Sequence, residues 1–249
     1  MRLDLATWQE VETYLETSGG IVIPAGSTEQ HGPMGLIGTD AICAQEIAEG
    51  AAELADAMVA PTLAYTPAPF NMAFPGTMSV SEPLFEALVL ELLEGLLSHG
   101  FDGIYFLNGH GANLAPLTRA AEGFAGARIR IRSWWEIEAV DALRKAYYGD
   151  WEGMHATPSE VAITQATHRI VPPGSAAKAP EKLSQDYIER HAGDRHGPAE
   201  QHRQRFPDGR VGSHSALATP QHGGALLKAA QASVAEDYLD WLAGGPQRG

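Results

Sequence analysis

The sequence predicts an α/β fold, a mostly parallel sheet with helices on both faces. Three observations carry this. Strand and helix signals alternate along the chain, the order expected when parallel strands are joined by helical crossovers. The runs Ile21-Val22-Ile23-Pro24 and Gly103-Ile104-Tyr105-Phe106-Leu107 are apolar at successive positions, as buried strands are. Each run then ends in a polar turn, Gly26-Ser27-Thr28 or Asn108-Gly109-His110, which brings side chains to one end of the sheet.

The elements follow in order. Trp8 to Leu15 has helical spacing and stops at Gly19-Gly20. Ile21 to Pro24 is the first strand. Thr39 to Leu54 reads as a helix, with Thr39 or Asp40 as its N-cap and alanines against the sheet. Met58-Val59-Ala60 is a second short strand, followed by a loop holding Pro61, Pro67, Pro69 and Pro75. Ser81 to His99 is a long helix: Ser81 caps it, Pro83 sits in its first turn, and Leu84, Leu88, Leu92 and Leu96 form its stripe. Gly100 ends it, and Gly103 to Leu107 is a buried strand ending at Asn108. A helix from about Asn113 to Phe124 and an alternating strand from Arg128 to Ser133 come next. Thr157-Pro158-Ser159-Glu160 has a capping-box pattern. Ser175 to Gly212 is polar and reads as a surface excursion, lid or subunit contact within one domain spanning 1–249.

Composition narrows the functional classes. With 249 residues, 44% hydrophobic and 19% charged, the chain has the make-up of an ordinary globular protein. No apolar run reaches the roughly 18 residues of a membrane span, and the start of the chain lacks a signal-peptide apolar core. A single cysteine, Cys43, excludes an intrachain disulfide and suits a reducing cytoplasm. The formal net charge of −14 argues against nucleic acid and anionic membranes as main partners. Small molecules, metal cations and other subunits remain.

Four short segments carry the candidate chemistry. Glu29 and His31, two apart after a strand, point to the same side in extended geometry and offer a carboxylate and an imidazole. Local hydrogen bonding is the alternative use of both. Asp40 either caps its helix or bridges two cations, one oxygen to each. His110 sits between Gly109 and Gly111, which let the backbone approach a ligand closely, at the edge where α/β proteins place their sites. Glu160 closes the capping box or ligates a metal, and His155, five residues earlier, is a candidate acid/base.

These segments together resemble the creatininase (creatinine amidohydrolase) family. The resemblance rests on Gly26-Ser27-Thr28-Glu29-Gln30-His31-Gly32-Pro33, Gly38-Thr39-Asp40, Phe74-Pro75-Gly76-Thr77 and Asn108-Gly109-His110-Gly111-Ala112-Asn113. It continues through His155 to Glu160 and Ala218-Thr219-Pro220-Gln221-His222-Gly223. It implies a three-layer α/β/α sandwich, two divalent metal ions (zinc, manganese or iron) at the sheet edge, and hydrolysis of a C–N bond by a metal-activated hydroxide. It also implies a homo-oligomer, a hexamer in the family pattern.

The ligands so implied are Glu29, His31, Asp40, His110 and Glu160, with Asp40 bridging. His155 and Glu160 are assigned to catalysis, His155 carrying the proton to the departing nitrogen. Trp151, Thr77 and Ser79 are assigned to substrate. Trp134 and Trp135 read as packing residues, and His191, His196, His202 and His214 as a solvated surface. Ala112 stands where creatininase carries a ligating glutamate, and in relatives with a small residue there the later glutamate, here Glu160, takes its place. Ala156-Thr157-Pro158-Ser159 also departs from the usual pattern. An amide, cyclic amide or formamide is therefore expected as substrate in preference to creatinine. A peptidase trimming a short peptide, or a non-catalytic member that binds metal or metabolite, are the alternatives.

Overall fold

A computed structural model describes residues 1–124 and 126–244. In chain order they form α1 (Trp8–Leu15), β1 (Gly20–Ala25), α2 (Thr39–Ala55), β2 (Met58–Val59), α3 (Glu82–Ser98), β3 (Gly103–Asn108) and α4 (Leu114–Glu122). There follow β4 (Arg128–Ser133), α5 (Glu138–Tyr148), α6 (Pro158–Thr167), α7 (Gln185–His191), α8 (Ala199–Arg205) and α9 (Pro220–Ala243). Among the described residues the strands make one sheet in the order β2-β1-β3-β4, every pairing parallel. Ala25 lies opposite Asn108, and Asn108 opposite Ser133, so three strands end at one level. The loops that leave that edge carry the polar residues singled out above.

Side-chain alternation along the strands builds two cores. Ile21, Ile23, Ile104 and Phe106 pack with Phe85, Val89 and Leu93 of α3 and Leu117 of α4. Val22, Tyr105 and Leu107 face the other way, toward Ile47 of α2, Val140 of α5, Ile163 of α6 and Leu226 and Val234 of α9. Both faces of the sheet are thus covered, which makes the expected three-layer α/β/α sandwich. Each fully buried leucine or isoleucine adds about 1.5–3 kcal/mol relative to exposure.

Three local expectations need correction. The stripe on α3 points outward: Leu84, Leu88 and Leu92 are 59%, 43% and 37% exposed, while Phe85, Val89 and Leu93 are buried. The helix carries two apolar rows one residue apart, and spacing alone does not choose between them. Asp40 does not cap α2: Gly38 is its N-cap, and Asp40 falls in the first turn. The loop after β3 makes a short 3-10 turn over Gly111–Asn113 before α4 begins at Leu114. The sequence reading also passed over α5 and α9. The second is capped by Thr219, which accepts from the His222 backbone N–H at 3.1 Å. Its buried row Leu226, Ala230, Val234, Tyr238 recurs every four residues. Among the described residues, no helix is long and apolar enough to cross a membrane.

Candidate metal centre

The loop after β1 delivers Glu29 and His31, the first turn of α2 delivers Asp40, the loop after β3 delivers His110, and the start of α6 delivers Glu160. Their ligand atoms form two groups with a shared member: Glu29, Asp40 and His110, then His31, Asp40 and Glu160. Asp40 is central. Its Oδ1 faces His31 Nε2 at 2.8 Å, and its Oδ2 faces His110 Nδ1 at 3.0 Å while accepting from Ser27 Oγ at 2.9 Å. Glu160 Oε1 lies 3.8 Å from His31 Nε2, and Glu29 Oε1 lies 3.4 Å from His110 Nδ1.

The outer ring atoms of both histidines are fixed by backbone. His31 Nδ1–H donates to the Glu29 carbonyl at 3.1 Å, and His110 Nε2–H donates to the Pro67 carbonyl at 2.8 Å. These bonds turn the remaining lone pairs toward the carboxylates, the arrangement that orients metal-ligating imidazoles. Gly109 makes the close approach possible: a Cβ there would meet the Asp40 carbonyl at 2.5 Å.

Does the donor set fit a metal? Glu29 is fully buried, and neither of its carboxylate oxygens has a hydrogen-bond partner. An uncompensated buried carboxylate costs several kcal/mol, so the side chain is placed for a cation. Oxygen and imidazole donors suit zinc, manganese or iron. The protonation pattern without metal agrees. Burial pushes the Glu29 carboxyl up to about 7 despite His110 beside it. Burial likewise carries Glu160 up to about 8. Burial opposes charge on His31, but the Asp40 carboxylate outweighs it and holds the imidazole at about 10. Asp40, although buried, is held well below the usual carboxylate range by His31 and His110. Protons thus stand where cations are wanted.

Glu160 closes the capping box that its sequence pattern offered. The capping box is formed, with the Thr157 N–H donating to Glu160 Oε1 at 2.5 Å and the Glu160 N–H to Thr157 Oγ1 at 3.3 Å. The same carboxylate faces His31. His155 is buried next to them. Its Nε2–H donates to the Gln30 carbonyl at 2.7 Å, and its Nδ1 lies 3.5 Å from Glu29 Oε1. Burial, followed by the charge on His31, lowers its pKa well below 6.5, so the ring is neutral at pH 7. Its neighbour Ala156 has φ of 56°, a left-handed conformation that costs a non-glycine residue about 1 kcal/mol.

A cavity of about 270 Å³ opens over this cluster, bounded by His110, His155, Glu160, Trp134, Trp135 and Arg144 among others. The assigned substrate residues do not line it. Trp151 lies instead under Lys182, whose Nζ is 4.6 Å from the ring centroid. Thr77 Oγ1 accepts from the Gln30 N–H at 3.2 Å, and Ser79 Oγ accepts from the Ala68 N–H at 2.8 Å. Both brace loops. Trp134 and Trp135 pack in the core as read, and each also contributes to the cavity wall.

The sequence reading missed Gln30 and Asn71. Gln30 Nε2 donates to Asn71 Oδ1 at 2.8 Å and to the Gly209 carbonyl at 3.0 Å, which fixes the loop that holds His155. It also missed Asp194, whose Oδ2 lies 3.6 Å from His110 Nδ1 and which lines the cavity. Gly111 leaves room for it, since a Cβ there would clash with Asp194 Oδ2. The run His191, Asp194, His196 was the available signal.

The histidines of this region are not a solvated surface. His202 is buried, the His196 side chain is 1% exposed, and both pack on Phe70 at ring distances of 5.1 and 4.7 Å. Burial, then neighbouring imidazoles, lower His196 to about 3 and His202 to about 4. In an unfolded chain they titrate near 6.5. Between pH 6.5 and about 4 the unfolded chain therefore takes up protons that the folded chain refuses, and stability falls as pH drops. His202→Leu should lose less in urea midpoint between pH 7 and pH 5 than the wild type. Equal losses would show that His202 does not contribute.

The fold and the cluster define an α/β/α protein with a buried His/Glu/Asp site able to hold metal at the C-terminal edge of its sheet. The Creatininase family model, described as creatinine amidohydrolase, matches residues 4–238. The chain belongs to the creatininase family. A mycofactocin precursor peptide peptidase of Mycolicibacterium smegmatis is 34% identical over 150 residues, which cover 57% of this chain and 59% of that protein. A 3-dehydro-scyllo-inosose hydrolase of Thermotoga maritima is 32% identical over 156 residues, 61% of this chain and 49% of that one. The chain thus aligns with about half to three-fifths of the length of these curated relatives. A manganese form of creatininase superposes with a TM-score of 0.75 at 21% identity, covering 95% of this chain and 96% of that one. A Zn-Zn type creatininase variant superposes at 0.73 and 20% identity, with the same coverage.

Proposed function

We propose that the protein is a metal-dependent hydrolase that cleaves a C–N bond of an amide, cyclic amide or formamide. The observation that carries this reading is the pair of ligand groups sharing Asp40, with the orphaned Glu29 carboxylate in one of them. Glu29, Asp40 and His110 would hold one divalent ion, and His31, Asp40 and Glu160 the other, as zinc, manganese or iron. When bound, such ions supply Lewis-acid polarisation of a carbonyl and a lowered pKa for water. His155, neutral and fixed through Nε2–H, takes a proton at Nδ1 from the attacking water and delivers it to the departing nitrogen. Trp134 and Trp135 wall the reacting group off from solvent.

A peptidase acting on a short peptide is the second reading. The name of the Mycolicibacterium relative favours it, and so does a further cavity of about 500 Å³ lined by Lys178, Lys182 and Arg205 within the polar 175–212 stretch. We assign that stretch to the same single domain. The exposed row Leu84, Leu88, Leu92 supports a homo-oligomer, a hexamer on the family pattern. A cytoplasmic location fits the single cysteine.

The test is a panel of small amides, formamides and short peptides offered to protein stripped by chelation and then reloaded with zinc, manganese or iron. Hydrolysis that appears only on reloading is expected. A fully loaded protein that leaves every compound intact would establish the non-catalytic alternative. Glu160→Gln separates the two roles of that residue. The amide can still close the capping box, so the fold should hold. One of two ions should be lost, and kcat/KM should fall at least about 100-fold, ~2.7 kcal/mol. Unchanged metal content would leave Glu160 a helix cap alone.

A further inference from the structure

The cavity over the metal cluster is walled mainly by acids and apolar groups. Asp40, Glu160, Asp194 and Glu136 all line it, and Arg144 of α5 is the one lysine or arginine among the described residues that does. Its guanidinium is only partly committed. Nε donates to Glu152 Oε1 at 2.8 Å, and Nη1 donates to the Trp135 carbonyl at 2.9 Å. Nη2 makes no hydrogen bond among the described residues, and the side chain is 16% exposed. The position is rigid. Glu152 also accepts from Ser159 Oγ, which contacts Thr157 Oγ1 at 3.1 Å, and Thr157 caps the helix that carries Glu160. Arg144 is therefore tied by a short hydrogen-bonded path to the candidate metal ligands.

We propose that Arg144 is a substrate-binding residue that selects an amide bearing a carboxylate close to the scissile C–N bond, such as an N-acyl amino acid or a C-terminal peptide unit. The proposal rests on the hydrolase reading above. A guanidinium with free N–H donors matches a carboxylate in charge and planar geometry. Arg144 is the one lysine or arginine in the lining among the described residues and stands apart from the candidate metal ligands, so the anionic group is directed to the Arg144 wall and the carbonyl to the histidine-carboxylate end. A cavity of about 270 Å³ suits a compact substrate of this kind. Glu152 and Asp141, the carboxylates nearest the guanidinium, fix it in place, with Asp141 Oδ1 3.9 Å from Nη1.

The test compares N-formylalanine with N-formylalaninamide, which differ only in that carboxylate. Calorimetric binding to metal-loaded protein should favour the acid on the order of 30-fold, the size of one charge-assisted hydrogen-bonded contact. In Arg144→Gln that ratio should collapse to near unity with both ions retained, and in Arg144→Lys, which keeps charge but loses the fork, it should be intermediate. Ser159→Ala loosens the brace without touching the guanidinium, and the preference should survive in it. No preference in the wild type, or no binding of either compound, overturns the proposal. So does an Arg144→Gln variant in which both compounds weaken by the same factor, since that is the behaviour of a brace. Preferential binding of the acid by a loaded protein that leaves the whole amide panel intact would sink the hydrolase reading and leave the anion site standing. Cleavage of both at equal kcat/KM would do the reverse.

Discussion

Asp40→Asn should lower kcat/KM by about four orders of magnitude, ~5.4 kcal/mol of barrier, and should leave the protein unable to hold two ions. The expectation follows from the two faces of one carboxylate. Oδ1 meets His31 and Oδ2 meets His110, so Asp40 alone belongs to both ligand groups. Asparagine presents an NH₂ in place of one oxygen and removes a unit of charge from a fully desolvated position. The loss should not be attributable to unfolding of α2, because Gly38, and not Asp40, is the N-cap. Metal analysis and far-ultraviolet circular dichroism on the same sample make the check. A variant that binds two ions and turns over normally would remove Asp40 from the bridge.

His155→Gln should lower kcat by about 10²–10⁴-fold, the range of a lost general acid or base, while both ions stay bound. His155 also falls in a third possible ligand group with Glu29 and His31, so metal content decides between proton carrier and ligand. The pH profile supplies a second readout. Burial keeps the ring neutral at pH 7. A base of lowered pKa stays competent as pH falls through 6.5, and the acid limb of kcat should lie below that value. In His155→Gln that limb should vanish. Loss of an ion in the variant would instead make His155 a ligand.

Much of this site was legible because it depends on strand ends. Glu29 and His31 follow β1, His110 follows β3, and parallel pairing in register puts those loops side by side. The capping box of Glu160 was readable from four consecutive residues, yet its approach to His31 depends on α6 lying against α2. What the sequence could not show rests on long-range packing. Asp194 reaches His110 only because the polar stretch folds back over Gly111, and the Gln30 carbonyl holds His155 across 125 positions. That Trp151 stands outside the cavity lining has the same origin: spacing to His155 does not say on which side of a loop an indole lies. On α3 two apolar rows compete, and the sheet takes the one with Phe85 and Val89.

The most direct measurement is a calorimetric titration of chelator-stripped protein with manganese or zinc, run beside Asp40→Asn. The shared-carboxylate centre predicts two ions per chain in the wild type, fewer in the variant, and recovery of amide hydrolysis as the second ion binds. One ion or none per wild-type chain at saturation, or two in both proteins, would contradict it.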